Sequence, residues 1–515
     1  MGPLSGVVTA VGLAAFAVAG LSGRDGRAVP PRAGTRIGAR RPTAPPPGRR
    51  APRRTRLRSR EGTDLAAARW ARAAELRPLR CPIPTDAEPA PPGRLVLGYG
   101  HRRLLAAERN QSVIVFGPSQ SRKTSGFAVP AILGWDGPVV ATSVKADLVG
   151  DTLAARRHLG TVSCFDPTGA TGLPPAGWSP LASCSTWPGA RRAAASLTEG
   201  GRAAAGSMAD ADFWYATATK MLAPLLLAAA TGGLRMADVV RWVDTREESE
   251  VLDLLHDAGV PSAVDAALAV FGREERQRSS TATTVETILE PFADLEVESP
   301  TGEAAPGASV DPATLVGGSN TLFLCAPAHD QKRLSPLFTA VLRQVLEHVY
   351  DTVTRTGRPL DPPLLVVLDE AANIAPLGDL DALASTAAGH GIQLVSVWHD
   401  LAQLDARYGP RAPTVVNNHR AKVFLAGIAD PSTLDHASRL IGDEELLVPS
   451  YTSGGSGGGS TTRATSTRRL APPDALRRIP TGEGVLVYGG LPPVRLRLRT
   501  WFDDPVLAAR ARGGS

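Results

Sequence analysis

The sequence predicts an α/β fold with a mostly parallel sheet and a nucleotide-binding site at one edge of that sheet. From residue 93 onward, short apolar runs alternate with helical segments, which is the pattern of repeated strand–helix–strand units. One run, "SVIVF", leads directly into "GPSQSRKTS" at 117–125. Another, "LLVVLDE", ends in Asp369 and Glu370. Together the two runs predict a phosphate-binding loop facing a pair of carboxylates.

The segment 117–125 follows the phosphate-loop pattern G-x-x-x-x-G-K-[ST] except at one position, which holds arginine instead of glycine. In such a loop the backbone N–H groups wrap the phosphates, the lysine reaches the β and γ phosphates, and the hydroxyl residue holds Mg²⁺. The chain has 51 arginines and only five lysines, so a lysine here is informative. A plain strand–turn–helix remains the alternative. The residues predicted to bind nucleotide are Gly117, Pro118, Ser119, Gln120, Ser121, Arg122, Lys123, Thr124 and Ser125.

Arg122 is the departure from this pattern. If the loop requires a positive φ there, the side chain costs about 1–2 kcal/mol relative to glycine. A cost of that size would weaken ATP binding about tenfold.

The carboxylates of "LLVVLDE" are typical of a central buried strand that delivers acids to the C-terminal edge of a sheet. We expect Asp369 to hold Mg²⁺ together with Thr124, and Glu370 to act as general base toward the attacking water. The next apolar run, "IQLVSVW", ends in His399, which is placed to sense the γ-phosphate. The alternative for His399 is a solvated loop histidine. The predicted cofactors are therefore ATP and Mg²⁺, and the predicted activity is ATP hydrolysis.

The helix-rich middle of the chain predicts an inserted all-α domain. Residues 188–304 lack strand-like alternation, whereas strand patterns occupy 93–187 and resume in 305–515. The two flanking stretches therefore predict two parts of one nucleotide-binding domain. Within the second part, 453–466 is rich in glycine and serine and predicts a flexible loop.

The N-terminal part predicts a membrane helix followed by a basic linker. Residues 2–23 carry no charge, and about 20 apolar residues suffice to cross a bilayer core. A signal peptide is the competing interpretation, but no basic stretch precedes the apolar run. Residues 24–60 hold thirteen arginines and one acid, which by the positive-inside rule keeps the following chain in the cytoplasm. The linker extends over 24–92 and includes a short helix predicted from Leu65 to Leu79.

Charge and cysteine content argue against three further features: a basic nucleic-acid-binding body, a disulfide framework and a zinc site. The net charge of +6 comes from the basic linker, and the rest of the chain is net acidic, so the sequence does not predict a globally basic nucleic-acid-binding body. The four cysteines lie far apart without C-x-x-C spacing, so neither a disulfide framework nor a zinc site is indicated.

Several longer stretches resemble one family. They are "GPSQSRKTS", "TSVKADLVGDTLAARRHLGTVSCFDP", "GWSPLA", "FWYATATKMLAPLL", "PLLVVLDEAANIAPLGDLDALASTAAGHGIQLVSVWHDLAQLDARYG" and "NNHRAKVFLAG". Their order and spacing, from about residue 95 to 502, are similar to those of the TraG/TraD-like conjugative DNA transfer proteins, the coupling ATPases of type IV secretion systems, and resemble the actinobacterial type. The likeness is specific, because a generic ATPase would not share "FDP…WSPL" or "DLAQL…YG".

The resemblance implies a membrane-anchored, RecA-like P-loop ATPase core that forms a ring, usually a hexamer, with the all-α domain on the cytoplasmic side. Such a protein translocates DNA without regard to sequence, more often as a single strand, and couples it to a transfer channel. The implied partners are DNA, a relaxase and secretion-channel proteins, and the implied location is the cell membrane with a single pass. The resemblance assigns the same roles to Lys123, Thr124, Asp369 and Glu370.

Three further departures from the family keep alternatives open. His399 stands where relatives usually carry a glutamine that senses the γ-phosphate. The stretch "TAAGHGI" at 386–392 lacks the arginine that relatives often use on the neighbouring subunit's ATP, so Arg407 and Arg420 are candidate replacements. Relatives often have two membrane helices, and this sequence predicts one at most. Arg122, His399 and the missing arginine in 386–392 all fall at catalytic-loop positions and leave open a nucleotide-binding docking receptor that hydrolyses ATP weakly or not at all. A chromosome-partition DNA pump is disfavoured by "FDP…WSPL".

Overall fold

The computed structural model describes residues 67–84, 91–144, 146–205, 210–294, 297, 307–374, 376–453 and 459–513. The predicted membrane helix at 2–23 and the arginine-rich segment 24–60 lie outside the described residues. Within the described residues, one helix, Ala211–Thr231, is long and apolar enough to cross a membrane. Two thirds of its apolar window is buried inside the protein, as expected of a core helix.

The secondary structure alternates strands and helices before and after a central helical stretch. The strands are β1 (Val96–Gly100), β2 (Arg103–Ala106), β3 (Val113–Phe116), β4 (Val139–Ser143), β5 (Val162–Phe165), β6 (Thr321–Cys325), β7 (Leu364–Leu368), β8 (Ile392–Trp398), β9 (Ala421–Leu425), β10 (Asp443–Ser453), β11 (Gly459–Arg469), β12 (Glu483–Tyr488) and β13 (Val494–Arg497). The α-helices are α1 (Val129–Leu133), α2 (Ala146–Leu159), α3 (Trp187–Ala205), α4 (Ala211–Thr231), α5 (Met236–Thr245), α6 (Ser249–Asp257), α7 (Pro261–Phe271), α8 (Glu275–Asp294), α9 (Pro312–Val316), α10 (Gln331–Thr356), α11 (Leu380–His390), α12 (Leu401–Tyr408), α13 (Ala412–Asn418), α14 (Pro431–Ile441), α15 (Pro473–Arg477) and α16 (Pro505–Ala511). Short 3₁₀ turns cover Arg77–Leu79, Pro180–Ser183 and Gly409–Arg411, and a π-helical turn covers Thr124–Ala128.

Most strands join one mixed sheet in the order β2-β1-β13-β12-β9-β3-β8-β7-β4-β6-β5. The segment from β9 to β5 is parallel, and the strands from β12 to β2 extend it in antiparallel fashion. Every residue of β3, β7 and β8 is buried, which is why these strands read as continuous apolar runs instead of alternating ones. The predicted α/β fold with a mostly parallel sheet is confirmed.

Helices α3 to α8 fill the stretch between β5 and β6 and pack onto the sheet through α10. Buried residues on these helices, such as Leu197 and Leu226, belong to the same apolar cluster as Phe338 on α10 and Val366 on β7. Burial of one shared core is the dominant favourable term in folding. The helical stretch is therefore continuous in its core with one face of the sheet.

The flexible loop predicted at 453–466 is wrong for the residues that the structure describes there. Residues 459–466 belong to β11, which pairs with β10 in an unbroken antiparallel register from Asp443↔Arg469 to Ser453↔Gly459. The glycine and serine content hid a Thr-rich alternation, "STTRATST", that favours strand. At the base of the ribbon Arg468 lies 2.9 Å from Glu444, an opposite-charge pair across the strands.

The helix predicted from Leu65 to Leu79 is also wrong where it can be seen. Residues 67–76 are irregular, and only the three residues Arg77–Leu79 form a 3₁₀ turn. The N–H of Ala68 donates to Asp443 O, and the N–H of Ala71 donates to Pro493 O, both at 2.8 Å. Because these donors bond distant segments, helix propensity is overridden by tertiary contacts.

Candidate nucleotide-binding site

Three neighbouring strands deliver the predicted site residues to one edge of the sheet. Strand β8 lies between β3 and β7, and Phe116 pairs in register with Trp398. Parallel strands place their carboxyl ends at the same edge, where open α/β sheets bind ligands. Gly117, Asp369 and His399 each follow one of these strands directly. The structure therefore brings together side chains that are almost 300 positions apart in the chain.

The phosphate loop has the backbone geometry of an anion-binding turn. Gln120 has φ = +66° and Arg122 has φ = +65°, both left-handed. Left-handed residues within such a loop turn successive N–H groups toward a common concavity. Gly117 is required for packing, because a Cβ there would come within 2.5 Å of Ser121 Oγ. Loop and helix thus meet where phosphate groups bind in nucleotide-binding folds.

The charged side chains of the site contact one another directly. Lys123 Nζ lies 2.8 Å from His399 Nε2 and 3.9 Å from Glu370 Oε1. The Thr124 hydroxyl donates to Asp369 Oδ2 at 2.9 Å. Lys123 is only 7% exposed, so its ammonium is held among these groups and not in water. Five of the predicted site residues, Lys123, Thr124, Asp369, Glu370 and His399, therefore lie in one cluster.

The two adjacent carboxylates have opposite pKa shifts. Burial raises the pKa of Asp369 to about 6, although the Thr124 hydroxyl and Lys123 oppose that shift. The hydrogen bond from His399 and the charge of Lys123 lower the pKa of Glu370, against its partial burial. Glu370 is therefore ionised at neutral pH, as a general base must be.

The donor set fits a Mg²⁺–nucleotide complex. Among the side-chain atoms that the structure describes, Asp369 Oδ1 is buried without a hydrogen-bond partner. A buried carboxylate oxygen beside a threonine hydroxyl is the type of hard oxygen ligand that Mg²⁺ takes, usually with one or two protein carboxylates and the substrate phosphates. Thr124 and Asp369 would hold the ion, and Lys123 with the loop N–H groups would hold the phosphates.

Glu370 itself lies in an uncommon backbone conformation, with φ = +61°. Strained φ/ψ values of this kind persist only where surrounding contacts determine them, and they cluster at functional sites. The Asn373 N–H donates to Glu370 O at 3.0 Å, and the N–H of Ala371 donates to Val397 O at 3.2 Å. These bonds fix the end of β7 against the end of β8.

Sequence reasoning missed Gln403 as a member of the site. Its side-chain Oε1 accepts the backbone N–H of His399 at 3.0 Å, and its own N–H is capped by Asp400 Oδ1 at 2.9 Å. The signal for it is the glutamine in "DLAQL", four residues after His399.

The Arg122 side chain leaves the loop toward the C-terminal segment. Its Nη1 lies 3.4 Å from Asp503 Oδ2, and its guanidinium carbon lies 5.6 Å from the centre of the Phe502 ring. In the same segment the Trp501 N–H donates to Ser125 O at 3.1 Å. Arg122 thus has the positive φ that glycine adopts without strain, and these contacts accommodate its side chain.

The two candidate arginines for a neighbouring subunit differ in their surroundings. Arg407 is partly buried and donates to Pro376 O at 2.7 Å and to Ala203 O at 3.4 Å. Arg420 is half-exposed, pairs with Glu108 at 3.0 Å and directly precedes β9, at the sheet edge opposite the phosphate loop. Both arginines therefore pair within this chain, and Arg420 is the more exposed of the two.

Comparison with known proteins identifies the family. The family model for type IV secretory system conjugative DNA transfer matches residues 86–513. The conjugal transfer protein TraG of Escherichia coli is 24% identical over 454 residues, covering 78% of this chain and 69% of that protein. The protein VirD4 of Agrobacterium fabrum (strain C58 / ATCC 33970) is 23% identical over 429 residues, covering 78% of this chain and 60% of that protein. The structure of the plasmid coupling protein TrwB in complex with ADP and Mg²⁺ has a TM-score of 0.59 at 15% identity, over 85% of this chain and 94% of that one, which is a likeness of fold. The resemblance seen in the motifs is confirmed, and this chain belongs to the type IV secretory system conjugative DNA transfer family.

Proposed function

We propose that this chain is a membrane-anchored, ATP-driven DNA translocase that couples relaxase-bound DNA to a type IV secretion or conjugation channel. The observation that carries the proposal is the cluster of Lys123, Thr124, Asp369, Glu370 and His399 at one sheet edge, in a chain of this family. TraG of Escherichia coli is named a conjugal transfer protein, and TrwB is named a plasmid coupling protein. These names support a role in moving DNA between cells.

The proposed roles follow from the contacts. Lys123 and the N–H groups of the phosphate loop bind the β and γ phosphates, and Thr124 with Asp369 hold Mg²⁺. When bound, Mg²⁺ neutralises the charge that develops on the transferred phosphoryl group. Glu370 accepts a proton from the attacking water. His399, whose Nε2 lies 2.8 Å from Lys123 Nζ, is placed to contact the γ-phosphate.

The proposed partners are DNA, a relaxase and secretion-channel proteins. We infer that the chain forms a ring, in the family's usual hexameric form, that follows the DNA backbone through basic and aromatic groups without reading sequence. Single-stranded DNA is the preferred form. Residues 2–23 are proposed as a single membrane pass, with the ATPase domain in the cytoplasm.

The activity is tested by ATP hydrolysis of the full chain with and without single-stranded DNA, alongside Lys123→Ala and Glu370→Gln. Lys123→Ala should abolish nucleotide binding and turnover, because it removes the only ammonium at the phosphate loop among the described residues. Glu370→Gln should still bind ATP and lower kcat about 10²–10⁴-fold, as expected for loss of a general base. Lys220→Ala, which alters an exposed lysine on α4, is the matched control and should behave as wild type.

A second function, a docking receptor that binds nucleotide but turns it over poorly, is favoured by Arg122 in a left-handed position of the loop. In that case the wild-type chain would bind ATP with hydrolysis no faster than that of Glu370→Gln. The membrane anchor is tested separately by fractionation. The full chain should sediment with membranes, and a chain beginning at residue 60 should not.

A further inference from the structure

The segment 376–379 follows Glu370 by six residues and is held by an array of side chains that the proposed chemistry does not use. Three consecutive carbonyl groups in this segment accept hydrogen bonds from side chains in the last turn of α12 and in the 3₁₀ turn that follows it. Arg407 donates to Pro376 O at 2.7 Å, Tyr408 donates to Leu377 O at 2.8 Å, and Arg411 donates to Gly378 O at 2.9 Å. We call Arg407, Tyr408 and Arg411 the carbonyl clamp.

The carbonyl clamp joins the two strand ends that carry the site. Its residues lie on and beside α12, which follows His399, and they grip the segment that follows Glu370. The Tyr408 ring also contacts the Trp398 ring, with 5.9 Å between centroids, and Trp398 directly precedes His399. Glu370 Oε1 lies 3.7 Å from His399 Nε2. The carbonyl clamp therefore stabilises the relative position of these two side chains.

The all-α stretch holds the same segment from the other side. Glu199 on α3 accepts the Gly378 N–H at 2.5 Å, and it also accepts two bonds from Arg343 at 2.7 and 2.8 Å. Arg343 in turn bonds Asp379, at 3.1 Å through Nη1. Arg407 adds a bond to Ala203 O, also on α3. The C-terminal half of α3 thus contacts both the clamp and the segment that it grips.

Arg343 and its carboxylate partners fix the position of the segment 376–379. Arg343 is buried to all but 15% of its side chain and has a carboxylate partner on each side. Charge-assisted bidentate bonds of this kind are short and geometrically specific. A misplacement of about 1 Å at reacting groups can lower a rate about 100-fold. We therefore expect the contacts that fix the segment after Glu370 to affect the rate of ATP hydrolysis.

We propose that Arg407 and Tyr408 are positioning residues for Glu370 and His399, and that Glu199 makes this positioning depend on the all-α stretch, so that a displacement of α3 changes turnover without changing nucleotide binding. The inference rests on the proposed ATPase function. It gives the motif "DLAQLDARYGPR" a physical role that its sequence alone did not reveal.

The decisive variant is Glu199→Gln. It keeps the size of the side chain but removes the negative charge that binds Arg343 and the Gly378 N–H. Its matched control is Glu347→Gln. Glu347 pairs with Arg192 at 3.2 Å, so it joins the same two helices, α10 and α3, and no hydrogen bond to 376–379 is described for it. Tyr408→Phe is a second, milder test, because it removes one hydroxyl and keeps the ring against Trp398.

In the full chain, Glu199→Gln should lower kcat at least tenfold while the dissociation constant for ATP stays within twofold, and Tyr408→Phe should show the same split with a smaller fall. Glu347→Gln should change neither value. The proposal is overturned if Glu199→Gln has the kcat of wild type. It is also overturned if Glu199→Gln and Glu347→Gln lower kcat equally, since an equal loss would report only the packing of α3 on α10.

Hydrogen exchange separates this proposal from the proposed function. The Gly378 amide should be protected in wild type and should exchange at least tenfold faster in Glu199→Gln but not in Glu347→Gln. If the wild-type chain binds ATP without hydrolysing it, the translocase proposal fails and this exchange result alone decides on the clamp. Equal protection in wild type and Glu199→Gln would then reject it.

Discussion

The two loops that flank the nucleotide site are held by different kinds of contact. On the phosphate-loop side, Arg122 meets Asp503 and the Phe502 ring, and the charged side chains of that pair are 39% and 63% exposed. On the other side, the segment 376–379 is held by the nearly buried Arg343 and its carboxylates. Both regions present an arginine to an acid, yet their surroundings differ.

Solvent exposure decides what each contact contributes. An exposed ion pair contributes about 0–1 kcal/mol, and an exposed cation–π contact about 0.5–1 kcal/mol. Removing one partner of a buried pair costs about 3–5 kcal/mol, because the remaining charge is left uncompensated. The phosphate loop therefore depends on its own backbone geometry, whereas the segment behind Glu370 depends on side chains brought from three helices.

The largest expected effect is on the buried side. Arg343→Met should lower the free energy of unfolding by about 3 kcal/mol, the lower end of the range for a buried pair, because Glu199 and Asp379 lose their counter-charge but are 24% and 49% exposed. The measurement is the shift in denaturant midpoint at constant slope. Asp503→Asn is the companion on the exposed side and should cost less than about 1 kcal/mol. Equal losses in the two variants would remove the contrast between the regions.

Folding stability should fall at acid pH because of a buried histidine that contacts β8. This strand lies between β3, which leads into the phosphate loop, and β7, which leads into Glu370. His419 is fully buried, its Nδ1 donates to Val415 O, and its Nε2 accepts from Ser396 on β8. Burial lowers the pKa of His419 to about 4, from an ordinary value of 6.5. The folded state therefore resists protonation that the unfolded chain accepts. Stability is complete above pH 6.5 and falls by about 3 kcal/mol as pH drops to 4.

His419→Gln tests this dependence. The variant should lose the part of the stability slope between pH 6.5 and 4 that wild type shows in urea unfolding. A slope that is unchanged in His419→Gln would assign the acid sensitivity to other groups.

The parts of the site that could be predicted from sequence are the residues that belong to short, recognisable motifs. Lys123, Thr124, Asp369 and Glu370 each follow an apolar run whose length and neighbours identify a buried strand, so their arrival at one sheet edge was predictable. The strand order was not, because nothing in the "SVIVF" run says that β3 would lie between β8 and β9.

The carbonyl clamp could not be predicted for a related reason. Arg407 is a candidate for acting on a neighbouring subunit because 386–392 lacks an arginine, but its partners in the structure are main-chain oxygens at 203 and 376. Carbonyl groups carry no sequence signal. The ribbon of β10 and β11 was missed because glycine and serine suggested a loop, whereas the two strands pair along their whole length.

The smallest expected effect is at Arg122, where two variants separate strain from contacts. The loop already has φ = +65° at this residue, so the steric cost falls on the folded state. Arg122→Ala keeps a Cβ in that conformation and loses the contacts to Asp503 and Phe502. Arg122→Gly loses the same contacts and also relieves the strain, so it should be more stable than Arg122→Ala by about 1 kcal/mol. Because wild type gains about as much from the contacts as it loses to strain, Arg122→Gly should lie within about 1 kcal/mol of wild type in urea unfolding. If Arg122→Gly and Arg122→Ala unfold at the same denaturant concentration, the positive φ carries no cost, and the arginine at this position is held by its contacts alone.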